Sequence, residues 1–145
     1  MKTDELYNTI PEIATRLLFV IANFPSIQED KIIYLDYLTL HAHDYVQELD
    51  SIHTKIPNYS TELISFYPKY REALKYLLFK GLTDIRIRSS GIYYFPNHHV
   101  QEYLELFEGN YISKYIKNLQ RIIQIYGKYT SQKLYKLISD SNRED

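Results

Sequence analysis

Hydrophobic positions recur with two different periods along the chain, and the period changes close to residue 81. Between residues 70 and 80, apolar side chains recur every three or four positions, which is the spacing of one helical face. They are Tyr70, Ala73, Leu74, Leu77 and Leu78. Gly81 follows them and can adopt the left-handed conformation at which many helices end. The pattern therefore predicts a helix that stops at this glycine and either begins near Glu62 with a kink at Pro68 or runs over 69–80 after a short turn.

A period of two replaces the helical period after the glycine. Ile85 and Ile87 alternate with Arg86 and Arg88, as on a strand with one half-buried face. A turn at 89–91 and a return strand over 92–95 complete a β-hairpin. A helix, a glycine and a hairpin form the second half of a winged helix, a fold that binds nucleic acid or docks onto another protein.

The rest of the chain reads as helices joined by polar loops. Apolar spacing predicts helices over 10–22, 29–44, 98–108 and 111–138, with an ordered loop over 45–61. We expect a mainly α protein with a small β-hairpin. It divides into a flexible leader (1–9), a winged-helix domain (10–109) and a C-terminal helical arm with a polar tail (110–145).

Composition narrows the functional classes. The chain has 145 residues and no cysteine, so disulfides and thiol chemistry are excluded. The first residues lack a signal-peptide profile and the longest apolar run has six residues, which predicts a cytoplasmic protein without a membrane span. No phosphate-binding glycine loop or serine elbow is present, so we predict no enzymatic activity and no cofactor.

Charge is distributed unevenly although the net charge is only −1. Residues 1–65 carry four basic and ten acidic side chains, whereas residues 110–145 carry seven basic and three acidic ones. A free-standing DNA-binding protein usually has a strong overall basic excess. The distribution favours a protein that binds another protein.

Asp36 lies within the apolar stretch 33–38. A carboxylate there either lies on an exposed stripe of the helix or is paired internally, because burying it bare is costly. The internal partner that we consider is a loop backbone or Arg71. Both alternatives give Asp36 a structural role.

His41, His43, Asp44 and His53 are the candidates for a metal site. On a continuous helix, residues 41 and 43 point in nearly opposite directions and cannot share one ion. We therefore predict that these residues cap the helix or bond to the following loop, and that no metal is bound.

Two exposed surfaces are candidates for partner contacts. On the hairpin, Arg86, Arg88 and Tyr93 could hold a phosphate backbone, or they could face solvent or protein. On the C-terminal arm, an apolar stripe lies opposite six basic side chains, so the arm either packs on the domain or lies along a partner. The predicted partner-binding residues of the arm are Tyr111, Tyr115, Leu119, Ile122 and Tyr126.

Several short motifs together resemble the middle component of bacterial three-component ABC-ATPase systems of the Lamassu type, which act in antiphage defence. The resemblance extends from Arg16 to Arg121. It is carried by Leu35-Asp36-Tyr37 with His41 and Asp44, by Ile52-His53 and Ile56-Pro57, by Glu62-Leu63, by residues 77–82 with Gly81, and by Gly91-Ile92-Tyr93.

This resemblance implies a small accessory subunit. Its partners would be an SMC-like ABC ATPase and an effector nuclease, and DNA would be reached through the complex. The motif residues Leu35, Asp36, Tyr37, His41, Asp44, His53 and Gly81 would be structural. The alternative function is a winged-helix transcriptional regulator that reads DNA with residues 69–80 and the hairpin.

Overall fold

The computed structural model describes residues 9–52 and 59–142. Residues 1–8 of the predicted leader therefore lie outside the described ranges. Its helices are α1 (Ile10–Ile21), α2 (Glu29–Leu40), a 3₁₀ helix (Ala42–Asp44), α3 (Tyr59–Phe79), α4 (Val100–Leu104), α5 (Asn110–Tyr126) and α6 (Ser131–Asn142). Its strands are β1 (Ile27–Gln28), β2 (Thr83–Arg88) and β3 (Gly91–Pro96). None of the helices in the described ranges combines the length and the apolar character needed to cross a bilayer.

The strands form one antiparallel sheet in the order β1-β3-β2. In the hairpin, Ile85 lies opposite Tyr94 and Arg86 lies opposite Tyr93, and on the other side of β3 the residue Ile27 of β1 also pairs with Tyr94. The hairpin was predicted from the alternation after Gly81 and is confirmed. Strand β1 was not predicted, because its two residues are too few to show a period.

The predicted fold class, mainly α with a small β-hairpin, is confirmed, and the winged-helix assignment stays a prediction. In place of the helix predicted over 29–44, α2 ends at Leu40 and the separate 3₁₀ helix follows it. The run 111–138 divides into α5 and α6 at Gly127, and Pro68 lies inside a continuous α3. Pro68 is on the exposed side of α3, where water can hydrate the carbonyl that its missing N–H leaves unbonded.

Gly81 ends α3 with a left-handed residue, as its position predicted. Its φ is +72°, and its N–H donates to the Leu78 carbonyl at 3.0 Å. The next residue, Leu82, donates to the Leu77 carbonyl at 3.0 Å and is buried. Two carbonyls at the helix end are thereby satisfied, and the chain is turned directly into β2.

One hydrophobic core runs through the whole described chain. It contains residues from α1, α2 and α3 together with Leu119 and Ile122 of α5 and Leu134 and Ile138 of α6. Both C-terminal helices contact α2. The segment predicted as an arm therefore packs on the domain instead of extending from it, which is the other alternative that the sequence left open.

Candidate functional site

A buried polar centre lies where four helices meet. Asp36 of α2 is completely buried, and Arg16 of α1 is almost completely buried. Oδ1 of Asp36 accepts hydrogen bonds from Arg16 Nε at 3.0 Å and from the Tyr115 hydroxyl at 2.5 Å. Oδ2 accepts from Arg16 Nη2 at 3.2 Å and from the Tyr70 hydroxyl at 2.8 Å. The carboxylate thus joins α1, α2, α3 and α5.

This arrangement answers the question that the sequence left open about Asp36. The residue is paired internally, and its partner is Arg16, while Arg71 approaches Glu29 at 3.7 Å on the surface. Arg16 was missed although the sequence holds a signal for it. It stands between Ile13 and Leu17 on the apolar face of α1, where a cation must find a buried partner.

The protonation states of the centre follow from burial and from the charge of Asp36. Burial and the neighbouring carboxylate raise the pKa of the Tyr115 hydroxyl well above its usual value. Burial acts to lower the pKa of Arg16, but the charge of Asp36, the nearby Tyr111 and Tyr70 and the hydrogen bond to Asp36 together raise that pKa above its usual value. At neutral pH Arg16 is therefore a cation and Tyr115 a hydrogen-bond donor.

With four donors on one carboxylate, the centre has the chemistry of a structural anchor. Both oxygens of Asp36 are occupied by side chains of this chain, and the guanidinium is forked onto them. Removing one member of such a buried pair is strongly destabilising, because the remaining charge is left uncompensated. The flanking motif residues Leu35 and Tyr37 are buried in the same core.

The histidines of the candidate metal site have separate environments. The His41 ring is buried and lies 4.6 Å from the ring centre of Tyr37, whereas His43 and Asp44 are exposed. His43 Nδ1 donates to the Leu49 carbonyl at 2.9 Å, and its backbone N–H donates to Ser51 Oγ. His53 lies outside the described residues. Within those residues, no three His, Cys, Asp or Glu side chains are grouped as metal ligands would be.

The hairpin presents the arginines on one face together with aromatic rings. The Arg86 guanidinium lies 5.4 Å from the ring centre of Phe95, and that of Arg88 lies 5.0 Å from the ring centre of Tyr93. Both arginines are exposed. Stacking on the rings holds the two cations on the same face of the sheet.

The five predicted partner-binding residues do not share one exposed surface. Tyr115, Leu119 and Ile122 are buried in the core, and the Tyr126 hydroxyl donates to the Tyr45 carbonyl at 2.8 Å. Tyr111 is partly exposed, and burial raises the pKa of its hydroxyl to about 12. The apolar face of α5 therefore contacts this chain, which leaves the exposed part of the helix surface for a partner.

The helix surface beside that apolar face carries Lys114, Lys117, Arg121 and Ile125, which we call the α5 stripe. Spacings of three and four residues place these side chains on one helical face. Both lysines and Ile125 are exposed, and Arg121 is held in place by Glu48, whose Oε1 lies 2.9 Å from its Nη2. The α5 stripe is thus a cationic surface with an apolar residue at one end.

Hydrogen bonds connect the segment after α5 to α2 and to strand β1. Lys31 Nζ donates to the Gly127 carbonyl at 2.6 Å, and burial lowers the pKa of that lysine. The Gln28 side chain bonds the Ser90 carbonyl at the hairpin turn and the Ser131 hydroxyl at the start of α6. These contacts border a surface cavity of about 490 Å³ and fix the position of α5 relative to the hairpin.

The fold and these sites define a small α-rich protein with an internally paired polar centre and exposed cationic faces. Residues 6–144 match the family model of the ABC-three component (ABC-3C) system Middle Component 2. The match covers nearly the whole chain, so this protein belongs to that family and is an accessory middle component of an ABC ATPase system. Neither the curated proteins nor the solved structures include a significant match.

Proposed function

We propose that this chain is a non-catalytic subunit that bridges the ATPase and an effector of its ABC-3C system. The supporting observation is the family match over residues 6–144, joined to an exposed α5 stripe on a well-anchored helix. In this proposal the ATPase is SMC-like, the effector is a nuclease, and the complex acts in the cytoplasm against phage or plasmid DNA. These details follow the resemblance to Lamassu-type systems.

The α5 stripe is the surface that we assign to the partner. Tyr115 fixes α5 to the buried centre, and Asn118 Nδ2 donates to the Asp50 carbonyl at 2.8 Å. The helix therefore presents its cations in a fixed geometry, which reduces the entropy lost on binding. The partner surface that complements this face is acidic, and opposite charge would also speed its association.

Co-purification of the chain with the ATPase component encoded beside it tests this proposal. We expect the wild-type chain to be retained and the double variant Lys114→Glu/Lys117→Glu to be lost, since both lysines of the α5 stripe are reversed in charge. The double variant Lys75→Glu/Lys80→Glu is the matched control, because it makes the same charge change on α3 and directly after it. Retention of the α5 variant at wild-type level contradicts the proposal.

The second candidate function, DNA binding by α3 and the hairpin, is favoured by one observation. Exposed cations follow one another along this region, namely Lys69, Arg71, Lys75, Lys80, Arg86 and Arg88. Phosphate contacts by such residues make affinity strongly salt-dependent. Under this alternative the Lys75→Glu/Lys80→Glu control loses salt-sensitive binding to duplex DNA in an anisotropy titration, whereas the α5 variant keeps it.

A further inference from the structure

Strand β2 forms one edge of the sheet, and its outer side is open. The strand order β1-β3-β2 leaves β2 with a partner only in β3, and no other backbone pairing along it occurs in the described ranges. Five of its six residues are exposed, including Ile85 at 39% and Ile87 at 78%. Natural edge strands are usually protected by charged side chains, proline or a bulge, and β2 carries its three charges, Asp84, Arg86 and Arg88, on one face only. Residues 83–88 contain neither lysine nor proline.

The turn geometry determines which backbone groups face outward. A two-residue turn at Ser89-Ser90 makes Arg88 and Gly91 the hydrogen-bonded pair that closes the hairpin. Alternation then directs the N–H and C=O groups of Thr83, Ile85 and Ile87 away from β3. The partner of Ile85 in the ladder, Tyr94, is correspondingly turned to β1, where it pairs with Ile27.

The side chains of β2 are complementary to a second, antiparallel β2. If Ile85 lies opposite Ile85 of a second copy, then Asp84 lies opposite Arg86 and Thr83 opposite Ile87. Each ion pair occurs twice because the contact is two-fold symmetric. Opposite charges directly across a strand pair are favourable, and like charges there are unfavourable. In this register no like charges face each other.

We propose that β2 pairs with β2 of a second copy of this chain, with Ile85 on the two-fold axis, to give a continuous six-stranded sheet. The outward N–H and C=O groups of Ile85 supply its central hydrogen bonds, and the pairing covers exposed apolar surface on Ile85 and Ile87. The stacking of Arg86 on Phe95 holds that guanidinium on the face where Asp84 of the other copy lies. This inference goes beyond the proposed function and uses a different surface.

Sedimentation velocity over a concentration series tests the pairing on the full chain. We expect wild type to dimerise reversibly and the single variants Asp84→Arg and Arg86→Asp each to weaken dimerisation about tenfold or more, since each replaces two ion pairs by two like-charge contacts. Circular dichroism reports that each variant is folded. Arg88→Glu is the control, because Arg88 faces Leu82 in this register and lies only diagonally from Asp84 of the other copy, so its reversal should weaken dimerisation much less.

Two further samples in which dimerisation should be restored distinguish this register from a general effect of charge. The double variant Asp84→Arg/Arg86→Asp restores both ion pairs and should dimerise like wild type. An equal mixture of the two single variants should form a heterodimer, because one copy is then wholly basic and the other wholly acidic at these positions. A wild-type chain that stays monomeric, equal weakening by Arg88→Glu, or failure of either recovery overturns the proposal.

Discussion

At the scale of single residues, Asp36 shows what the sequence could and could not specify. The apolar surroundings of this residue predicted an internal partner as one of two alternatives, and the structure places four donors on its carboxylate. The identity of the partner was not predictable from local spacing. Arg16 is 20 residues away, and its proximity depends on how α1 packs on α2.

Replacing Asp36 by Asn should destabilise the fold by about 3–5 kcal/mol, because Arg16 is then buried without a counter-charge. Urea unfolding followed by circular dichroism measures the change. Arg71→Gln serves as the control: Arg71 is 57% exposed and 3.7 Å from Glu29, so its loss should cost less than about 1 kcal/mol. Equal stabilities of Asp36→Asn and wild type would show that the buried pair is not an anchor.

Partly buried tyrosines make the stability of the fold sensitive to alkaline pH. Burial raises the pKa of Tyr34, Tyr45 and Tyr111 from 10.0 to about 12. The unfolded chain therefore releases protons at lower pH than the folded chain, and stability must fall as pH rises. We expect the contribution to be complete below about pH 10 and to be lost between about pH 10 and 12.

Two measurements between about pH 9 and 13 check this pH dependence: the ultraviolet absorbance of ionised tyrosine and the free energy of unfolding. In the folded chain, some tyrosines should ionise at higher pH than the rest. Once the chain is denatured, all tyrosines should ionise near their ordinary pKa. If all tyrosines of the folded protein ionise together at their ordinary pKa, the hydroxyls of these three tyrosines are accessible to solvent and the described packing around them is wrong.

At the scale of elements, the end of α3 was predictable and strand β1 was not. Gly81 carries a local signal, since only a residue that tolerates positive φ ends a helix in this way. Strand β1 is defined by its pairing with β3, a contact between positions more than 60 residues apart. The winged-helix prediction rested on the second half of the fold, and β1 adds the third strand to its hairpin.

Gly81→Ala should cost about 1–2 kcal/mol, because alanine at φ +72° is strained. A Cβ there would meet no atom within 4 Å, so the cost is local to the backbone and involves no clash with a neighbouring element. Gly81→Asn is the matched variant and should cost less, since asparagine tolerates the left-handed region. Thermal unfolding of both variants measures the difference, and equal losses for Ala and Asn would contradict this explanation.

At the scale of the whole molecule, the C-terminal helices are part of the core. The amphipathic run after residue 110 was correctly identified, but its apolar stripe could face either its own domain or a partner. Apolar periodicity shows which side of a helix is apolar, but it does not show what that side contacts. The structure shows that the stripe faces its own domain. Tyr115 donates a hydrogen bond to Asp36, and Leu134 and Ile138 are buried in the hydrophobic core.

Deleting residues 110–145 should therefore abolish cooperative folding. The truncated chain loses five buried apolar side chains, Tyr115, Leu119, Ile122, Leu134 and Ile138, and one hydrogen-bond donor to Asp36. Removing a single large core side chain commonly costs about 2–5 kcal/mol, so the sum exceeds the stability of an ordinary domain. Far-UV circular dichroism on heating should show no sharp transition, and a wild-type melting curve would contradict the shared core.

Amide hydrogen exchange of this chain, alone and mixed with the ATPase component of its system, tests the central claim most directly. If the chain is an accessory subunit that docks through the α5 stripe, exchange should slow over residues 113–125 on mixing, with the hairpin little changed. Slowing confined to residues 69–95, or no slowing in α5, would contradict that claim.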